Sequence, residues 1–329
     1  MILAGDIGGT KVNLAFFEVA GQQLTQRVEG TYPSRQHASL EEIVHEFLST
    51  HHLKVDYACF GIAGPVKNGR AQLTNLPWVV DAHTLTRELG LKFAWLINDL
   101  EANAYGIAGL SPQDLVTLNE GELEAKGNAA IISAGTGLGE AGLFWDGHRH
   151  FPLACEGGHG DFAPRTDLDV ELFRHLRAQF GRVSWERVLS GPGSFNIYKF
   201  LRDTGRGEEP AWLTEDLRNG DAPSVITRVG LEGKCELCVQ TLDLFVTYYG
   251  AEASNLALKI MSIGGLYVGG GIAPKIINKL KDGNFMKAFC ATGRMMALME
   301  AMPVRVILND KTALIGAARF AAAQAGWIR

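Results

Sequence analysis

A strand, a turn of glycine and threonine, and a second strand occur twice in this chain, and this repeated unit limits the folds available to it. In the first copy, Gly5-Asp6-Ile7-Gly8-Gly9-Thr10 lies between an apolar run at 1–4 and strand-forming residues at 12–18. In the second, Gly135-Thr136-Gly137 lies between strand patterns at 129–133 and 141–145. Paired glycines supply the positive φ of tight turns, so each copy is predicted to be a β-hairpin. The repetition indicates two similar halves that face one ligand.

Outside the hairpins, short apolar strands alternate with helical patterns. Residues 57–63 and 93–97 are typical of buried strands, and Ser39 is a suitable N-cap for a helix that continues to residue 48. A strand pattern at 266–268 runs into Gly269-Gly270-Gly271. The alternation predicts an α/β fold with a largely parallel sheet after the opening hairpin. Because 329 residues are many for a single core, we expect two domains.

The later half of the chain is more helical. Its longest helical pattern covers 237–263, and a last helix is predicted over 313–325 with Asn309 or Asp310 as its cap. Cys235 and Cys238 have the spacing of metal ligands, but no second pair and no nearby histidine accompany them. Packing within the helix is therefore preferred over zinc binding.

Charge and composition argue against several classes of function. A net charge of −5, without any run of lysines or arginines, argues against nucleic acid and anionic membranes as main partners. No apolar run approaches the ~20 residues of a membrane span. Asp6 comes too soon for a signal peptide, and the five cysteines are few and scattered. We therefore expect a cytoplasmic protein with reduced thiols.

The glycine turns have the chemistry of a phosphate site. Their backbone N–H groups can approach phosphate oxygens, Thr10 adds a hydroxyl, and the carboxylate of Asp6 suits Mg²⁺ beside a phosphate. The alternative, an ordinary turn capped by Asp6, has equal weight on this stretch alone. Residues 137–142 match the G-x-G-x-x-G dinucleotide pattern, but strand residues follow where that fingerprint needs a helix. Two hairpins and a strand–Gly₃–helix turn together favour ATP over NAD.

Two further segments carry candidate ligand-binding groups. Asn98-Asp99 follows a buried strand, where open α/β sheets place their active sites. Asp99 can accept the proton of a substrate hydroxyl while Asn98 binds a neighbouring oxygen, although from the residues alone a helix N-cap is the preferred role of Asp99. Glu156 and His159, separated by two glycines, can bracket vicinal hydroxyls. Asp161 is available nearby, but no metal motif accompanies it, so a metal site is disfavoured.

In combination, these stretches resemble a known family. The chain is similar over nearly its whole length to the bacterial glucokinases of the actin/hexokinase ATPase group, in the class distinct from the repressor-type sugar kinases. The similar stretches are 5–10, Leu73-Thr74-Asn75-Leu76-Pro77-Trp78, 97–99, 135–139, 156–159, 186–193 and 264–272. Repressor-type kinases usually carry a cysteine-rich zinc motif after the E-G-G-H segment, whereas residues 165–182 contain no cysteine.

The resemblance implies a role for each candidate. Asp99 would be the general base on the sugar 6-hydroxyl, and Asn98, Glu156, His159 and Glu186 would bind the other hydroxyls of glucose. Residues 5–10 would hold the ATP phosphates with Asp6 near Mg²⁺, residues 135–137 would form the second phosphate turn, and residues 269–271 would border the adenosine. From the residues alone, Glu186 is instead a solvated helix position.

The same resemblance implies the architecture. We expect a two-domain actin-like (ribonuclease H-like) ATPase fold, with a small α/β domain (1–98 plus 310–329) and a large one (99–309) that close over the sugar. Members are commonly homodimers. Lys11-Val12-Asn13 departs from the Asn-Ala-Arg usual after this Gly-Gly-Thr turn, so Lys11 is either a cation near the phosphates or a solvated turn residue. A kinase for another hexose or an N-acetylated amino sugar and a non-catalytic sugar sensor remain as alternatives.

Overall fold

The computed structural model of the protein describes residues 1–73 and 76–328. The strands are β1 (Ile2–Ile7), β2 (Lys11–Ala20), β3 (Gln23–Pro33), β4 (Tyr57–Ile62), β5 (Val66–Lys67), β6 (Arg70–Gln72), β7 (Val79–Asp81), β8 (Phe93–Asn98), β9 (Leu115–Asn119), β10 (Ala129–Ala134), β11 (Leu138–Trp145), β12 (His150–Ala154), β13 (Gly265–Gly269) and β14 (Val304–Ile307). The helices are α1 (Leu40–His51), α2 (Ala82–Glu88), α3 (Asp99–Ile107), α4 (Asp167–Phe180), α5 (Gly191–Asp203), α6 (Ala211–Asn219), α7 (Ala222–Leu231), α8 (Glu236–Ile260), α9 (Ile277–Leu280), α10 (Asn284–Cys290), α11 (Met296–Glu300) and α12 (Thr312–Gln324). Thr74 and Asn75, in the predicted Leu73–Trp78 stretch, lie outside the described residues.

The chain forms two compact units. Unit 1 comprises residues 1–111, 151–154 and 309–329, and unit 2 comprises residues 112–150 and 155–308. Within residues 1–73 and 76–328, every helix is too short or too polar to cross a membrane.

Unit 1 is built on a sheet with the strand order β3-β2-β1-β4-β8. β1 is antiparallel to β2 and parallel to β4, and β4 is parallel to β8. Successive side chains of a strand point to opposite faces, so β1 contributes Leu3 and Ile7 to one core and Ile2 and Ala4 to another. The first core includes Phe47 of α1, and the second is formed with the alanine-rich α12. The predicted opening hairpin and parallel sheet are confirmed.

Two glycines bring α12 against α3. A Cβ at Gly316 would lie 1.7 Å from the carbonyl oxygen of Ala102, and a Cβ at Gly106 would lie 2.0 Å from that of Thr312. The helices therefore meet backbone to backbone, which only glycine permits at these positions. This contact fixes α3, whose first residue is Asp99.

The beginning of α12 differs from the prediction. Its N-cap is Lys311, and neither Asn309 nor Asp310 occupies that position. The Asn309 side chain instead accepts the N–H of Lys311 at 2.9 Å, and the Thr312 hydroxyl donates to the Asn309 carbonyl at 2.7 Å. These bonds form a separate turn before the helix. By contrast, Ser39 caps α1 as predicted and accepts the N–H of Glu42.

Unit 2 repeats the pairing pattern of unit 1. β10 is antiparallel to β11 and parallel to β13, β13 is parallel to β14, and β9 pairs antiparallel with β14. The strand order β11-β10-β13-β14 thus corresponds to β2-β1-β4-β8 in unit 1. This correspondence confirms that the two glycine–threonine hairpins begin similar halves of the chain.

The long helix α8 packs against β10 and against α5, α7 and α10. Cys235 is its N-cap and Cys238 lies in its first turn, and both thiols are free and buried. In the part of the chain that the structure describes, histidine, cysteine, aspartate and glutamate form no group of three or more suited to a metal ion. Both cysteines belong to the buried core of unit 2, which is what the packing interpretation predicted.

Candidate active site

The first glycine turn is held by a serine from the end of β3. Gly8 N–H donates to the Lys11 carbonyl at 3.0 Å. The Ser34 hydroxyl donates to the Gly8 carbonyl at 2.8 Å, and its N–H donates to the Thr10 carbonyl at 3.0 Å. Ser34 is fully buried. Its two bonds fix the turn, a role that the sequence does not signal because isolated serines are common beside strands.

Within the turn motif, Gly5 and Ile7 contribute through the backbone. A Cβ at Gly5 would lie 2.4 Å from the Phe60 ring, so this glycine allows close packing within the sheet. The Ile7 side chain is buried in the core. Only backbone groups of these two residues are therefore available to a ligand.

Asp6 lies half-buried beside a polar cavity of about 220 Å³ in unit 1. Its carboxylate accepts a hydrogen bond from Asn13 Nδ2 at 3.3 Å, and Asn13 Oδ1 accepts one from the Thr31 hydroxyl at 3.0 Å. Burial raises the pKa of Asp6, and the nearby Asp310 carboxylate acts in the same direction. Lys11 and Asp310 line the same cavity. A cation there would offset the cost of two neighbouring carboxylates.

The end of β8 places Asn98 and Asp99 at the start of α3. Asn98 is the N-cap: its Oδ1 accepts the N–H groups of Leu100 at 2.9 Å and Glu101 at 3.4 Å, and its Nδ2 donates to the Gly64 carbonyl at 3.1 Å. The interpretation of Asp99 as the cap is therefore wrong, because the strand continues to Asn98 and Asp99 is already helical. The Asp99 carboxylate accepts the N–H of Leu100 at 2.9 Å. At a helix N-terminus the macrodipole stabilises a negative charge.

In unit 2 the second glycine turn is joined to Glu186. Gly135 N–H donates to the Gly137 carbonyl at 2.8 Å, and the Gly135 carbonyl accepts the N–H of Gly191 at 2.8 Å. Leu138 N–H donates to Glu186 Oε2 at 3.0 Å. A Cβ at Gly137 would lie 2.5 Å from that same oxygen, so glycine is needed for the contact. The solvated-helix interpretation of Glu186 is therefore wrong.

The predicted sugar-binding groups of unit 2 lie together. The two ring nitrogens of His159 lie 3.9 Å from carboxylate oxygens, Nδ1 from Glu186 Oε1 and Nε2 from Glu156 Oε2. The side chains of Glu156 and His159 are 63% and 58% exposed, so a ligand can reach them. Asp161 instead binds Arg182 at 2.6 Å, and Arg182 also donates to the His159 carbonyl at 2.9 Å. Asp161 thus supports the segment that carries His159.

The third glycine turn is joined to the second by Tyr249 of α8. The buried Tyr249 hydroxyl accepts the N–H of Ala134 at 3.0 Å and donates to the Gly269 carbonyl at 3.0 Å. Gly270 has φ +82°, and a Cβ there would lie 2.3 Å from the Ala134 carbonyl oxygen. Tyr249 therefore ties the ends of β10 and β13, from which both turns of unit 2 start. Sequence reasoning missed it because it is one of several aromatic residues in a helical pattern.

Comparisons with known proteins identify the family to which the chain belongs. The glucokinase family model matches residues 3–324. A glucokinase from Trichormus variabilis is 43% identical over 338 residues, with 98% of this chain and 99% of the relative covered. The crystal structure of a glucokinase from an Antarctic psychrotroph superposes with a TM-score of 0.84 at 32% identity, covering 98% of each chain.

A more distant solved structure agrees in fold. A ROK family glucokinase from Streptomyces griseus, solved in complex with glucose and AMPPNP, has a TM-score of 0.65 at 20% identity, covering 98% of this chain and 99% of that chain. The fold class is the predicted actin-like ATPase class. The family model and the full-length relatives together show that this chain belongs to the glucokinase family.

Proposed function

We propose that the chain transfers the γ-phosphoryl group of ATP to the 6-hydroxyl of glucose, with Asp99 as general base. The observation that carries this proposal is the full-length similarity to glucokinases, at up to 43% identity. The gathering of Glu156, His159 and Glu186 at a glycine turn supports it independently.

Asp99 is suited to the role of base. Its carboxylate lies in the first turn of α3, where its charge is stabilised, and the Asn98 cap fixes the backbone before it. It accepts the proton of the attacking hydroxyl as the bond to phosphorus forms. Asn98 uses its oxygen for the cap and one amide N–H for Gly64, so one N–H remains for a sugar oxygen.

Glu156, His159 and Glu186 bind the remaining hydroxyls of the sugar. Carboxylates accept hydrogen bonds from hydroxyl groups, and an imidazole between them donates or accepts one. Because Glu186 also binds Leu138 beside the second phosphate turn, the same side chain links sugar contacts to phosphate contacts. This linkage holds the acceptor and donor sites of unit 2 in one geometry.

The phosphates of ATP lie at backbone N–H groups of residues 5–10 and 135–137, and the adenosine borders Gly269, Gly270 and Gly271. The last of these has open space where a Cβ would lie. Mg²⁺ fits the carboxyl groups of Asp6 and Asp310, since it is usually held by one or two carboxylates together with water and phosphate. When bound, it neutralises charge on the phosphate oxygens. Excluding water from the bound sugar removes a competing acceptor.

A phosphorylation assay across a panel of sugars tests the proposal. With ATP and Mg²⁺ we expect glucose to have the highest kcat/KM among glucose, mannose and N-acetylated amino sugars. Preference for another sugar would replace the substrate assignment, and glucose binding without phosphorylation would indicate a sensor. Assays with ADP or polyphosphate in place of ATP test whether ATP is the phosphoryl donor. We further propose that the protein is cytoplasmic and forms a homodimer, which the family resemblance supports. Sedimentation of the purified chain tests the homodimer.

A further inference from the structure

Two buried carboxyl groups lie beneath the segment that carries Glu156 and His159. Glu140 of β11 is 2% exposed and Glu252 of α8 is 0% exposed. Among the described residues, the Oε1 atom of each is buried without a hydrogen-bond partner. Glu252 Oε2 accepts a hydrogen bond from Asn255 at 2.7 Å. The Glu140 and Glu252 side chains lie within hydrogen-bond reach of each other. Two such carboxylates cannot both be ionised at low cost in a buried site, so the pair holds a proton.

Burial raises the pKa of both carboxyl groups, and the surrounding charges act on them differently. Burial and the negative charge of Glu252 raise the pKa of Glu140 to about 8, and Lys259 acts weakly against them. Burial also raises the pKa of Glu252, but its bond to Asn255 and the charges of Lys259 and Arg165 oppose that rise. The charge of Glu140 also acts on the Cys155 thiol and the Tyr249 phenol. Burial raises the pKa of both groups, which favours their neutral forms. A proton held by the pair lets one carboxyl group donate a hydrogen bond to the other, which would satisfy both buried groups.

Glu140 is in direct contact with the segment above it. A Cβ at Gly157 would lie 2.0 Å from Glu140 Oε2 and 2.8 Å from its Cδ atom, so the Gly157 backbone rests on the carboxyl group. The Cys155 thiol donates to the Glu140 carbonyl at 3.2 Å. A Cβ at Gly158 would lie 2.1 Å from the Leu138 carbonyl oxygen. A side chain at Gly157 or Gly158 would not fit against β11, so a shift of Glu140 would displace the backbone of these two residues.

We propose that Glu140, hydrogen-bonded to Glu252 and supporting Gly157, is a positioning residue that sets the spacing of Glu156 and His159 for the sugar. The proposal rests on the proposed function, which assigns sugar contacts to those two residues. Loss of the shared proton places two like charges beneath a segment that carries the Glu156 carboxylate. Repulsion then displaces the segment and weakens sugar binding.

The test measures KM for glucose, KM for ATP and kcat between pH 6 and pH 9 for the wild type, E140Q and E140A. We expect the wild-type KM for glucose to rise several-fold as the pH passes about 8, with KM for ATP unchanged. Glutamine keeps the shape and a donor for Glu252 but has no proton to lose, so the rise should disappear in E140Q. Alanine removes the support of Gly157, and KM for glucose should rise about 5- to 20-fold throughout the pH range.

The variant E209Q serves as a matched control. Glu209 is a half-buried glutamate of unit 2 that bonds Tyr198 at 2.7 Å and Thr214 at 2.7 Å, so E209Q should show the wild-type pH profile. A wild-type KM for glucose that stays flat to pH 9, or a rise that persists in E140Q, overturns the inference. If E140A does not fold, the E140Q profile still decides.

Glucose binding by E156Q shows whether a negative result contradicts only the positioning role of Glu140 or also the proposed function. If E156Q weakens glucose binding while the Glu140 variants behave as wild type, only the positioning role is wrong. If E156Q binds glucose normally, the sugar assignment itself is wrong.

Discussion

Replacing Tyr249 by phenylalanine removes one hydroxyl group that joins two strands of unit 2. That hydroxyl accepts the Ala134 N–H and donates to the Gly269 carbonyl, each at 3.0 Å. The ring fills the same volume in the variant, so the core loses no apolar contact. The hydroxyl's third contact, to the Ile132 carbonyl, is longer at 3.4 Å. The change therefore acts mainly on these two backbone groups, which lie at the glycine turns proposed to hold ATP.

The expected magnitude follows from those two groups. A buried N–H left without a partner costs about 1–3 kcal/mol, and the lost bond to the carbonyl contributes about 1 kcal/mol. We expect Y249F to lower the free energy of unfolding by about 2–4 kcal/mol. If displacement of the turns weakens ATP binding by about 1 kcal/mol, the Kd for ATP rises about 5-fold.

Calorimetric titration with AMPPNP and with glucose, together with thermal unfolding, measures these effects. Y248F is the matched control: the neighbouring Tyr248 hydroxyl is also buried but donates to Asp169 at 2.9 Å, away from the glycine turns. Both variants should unfold at lower temperature, and only Y249F should bind AMPPNP more weakly, with glucose affinity unchanged. Unaltered AMPPNP binding by Y249F, or equal weakening in Y248F, would refute the role of Tyr249.

Four other outcomes are expected. D99N should lower kcat by about 10²–10⁴ while glucose binding stays within a few-fold, and a nearly unchanged kcat would place the base elsewhere. S34A frees the Gly8 carbonyl, which the Ser34 hydroxyl binds at 2.8 Å, and should raise KM for ATP without changing KM for glucose; an equal effect on both would indicate general destabilisation. K11A should weaken ATP binding about 5-fold or less, because Lys11 is exposed at the cavity of Asp6, and an unchanged Kd would make it a solvated turn residue. Glu140 holds in the folded chain a proton that the unfolded chain releases above pH 4.5, so the free energy of unfolding should fall as pH rises from 4.5 to about 8. Urea unfolding at pH 6 and pH 8.5 should show a larger fall for the wild type than for E140Q, and equal falls would contradict the assignment.

Elements whose signals are local could be predicted from the sequence. Each hairpin depends on glycines at its own turn, and α1 begins at Ser39 because the serine oxygen reaches an N–H three residues later. The alternation of strands and helices also predicted the α/β fold, because each element's pattern lies within a short stretch of sequence. Glucokinase membership also followed from short motifs, because ligand-facing turns keep their residues together in the chain.

Where two residues could serve equally as a helix cap, the contacts in the folded chain distinguish them. Asn98 rather than Asp99 caps α3 because β8 pairs with β4 as far as Asn98 opposite Ile62, which leaves Asp99 inside the helix. At α12, bonds of Asn309 and Thr312 form a turn that moves the helix start to Thr312. Both Asn and Asp are good caps, so propensity alone cannot choose.

By itself, the sequence determined the two hairpins, the order of strands and helices and the family, because each depends on residues close together in the chain. Only the tertiary structure decided which distant groups meet. It brought Glu186 to His159 and to the second glycine turn, Tyr249 to the ends of two strands, and Glu140 beneath Gly157. In the sequence these residues belong to ordinary strand and helix patterns. Their roles arise from burial and from contacts across the fold, which the order of residues does not display.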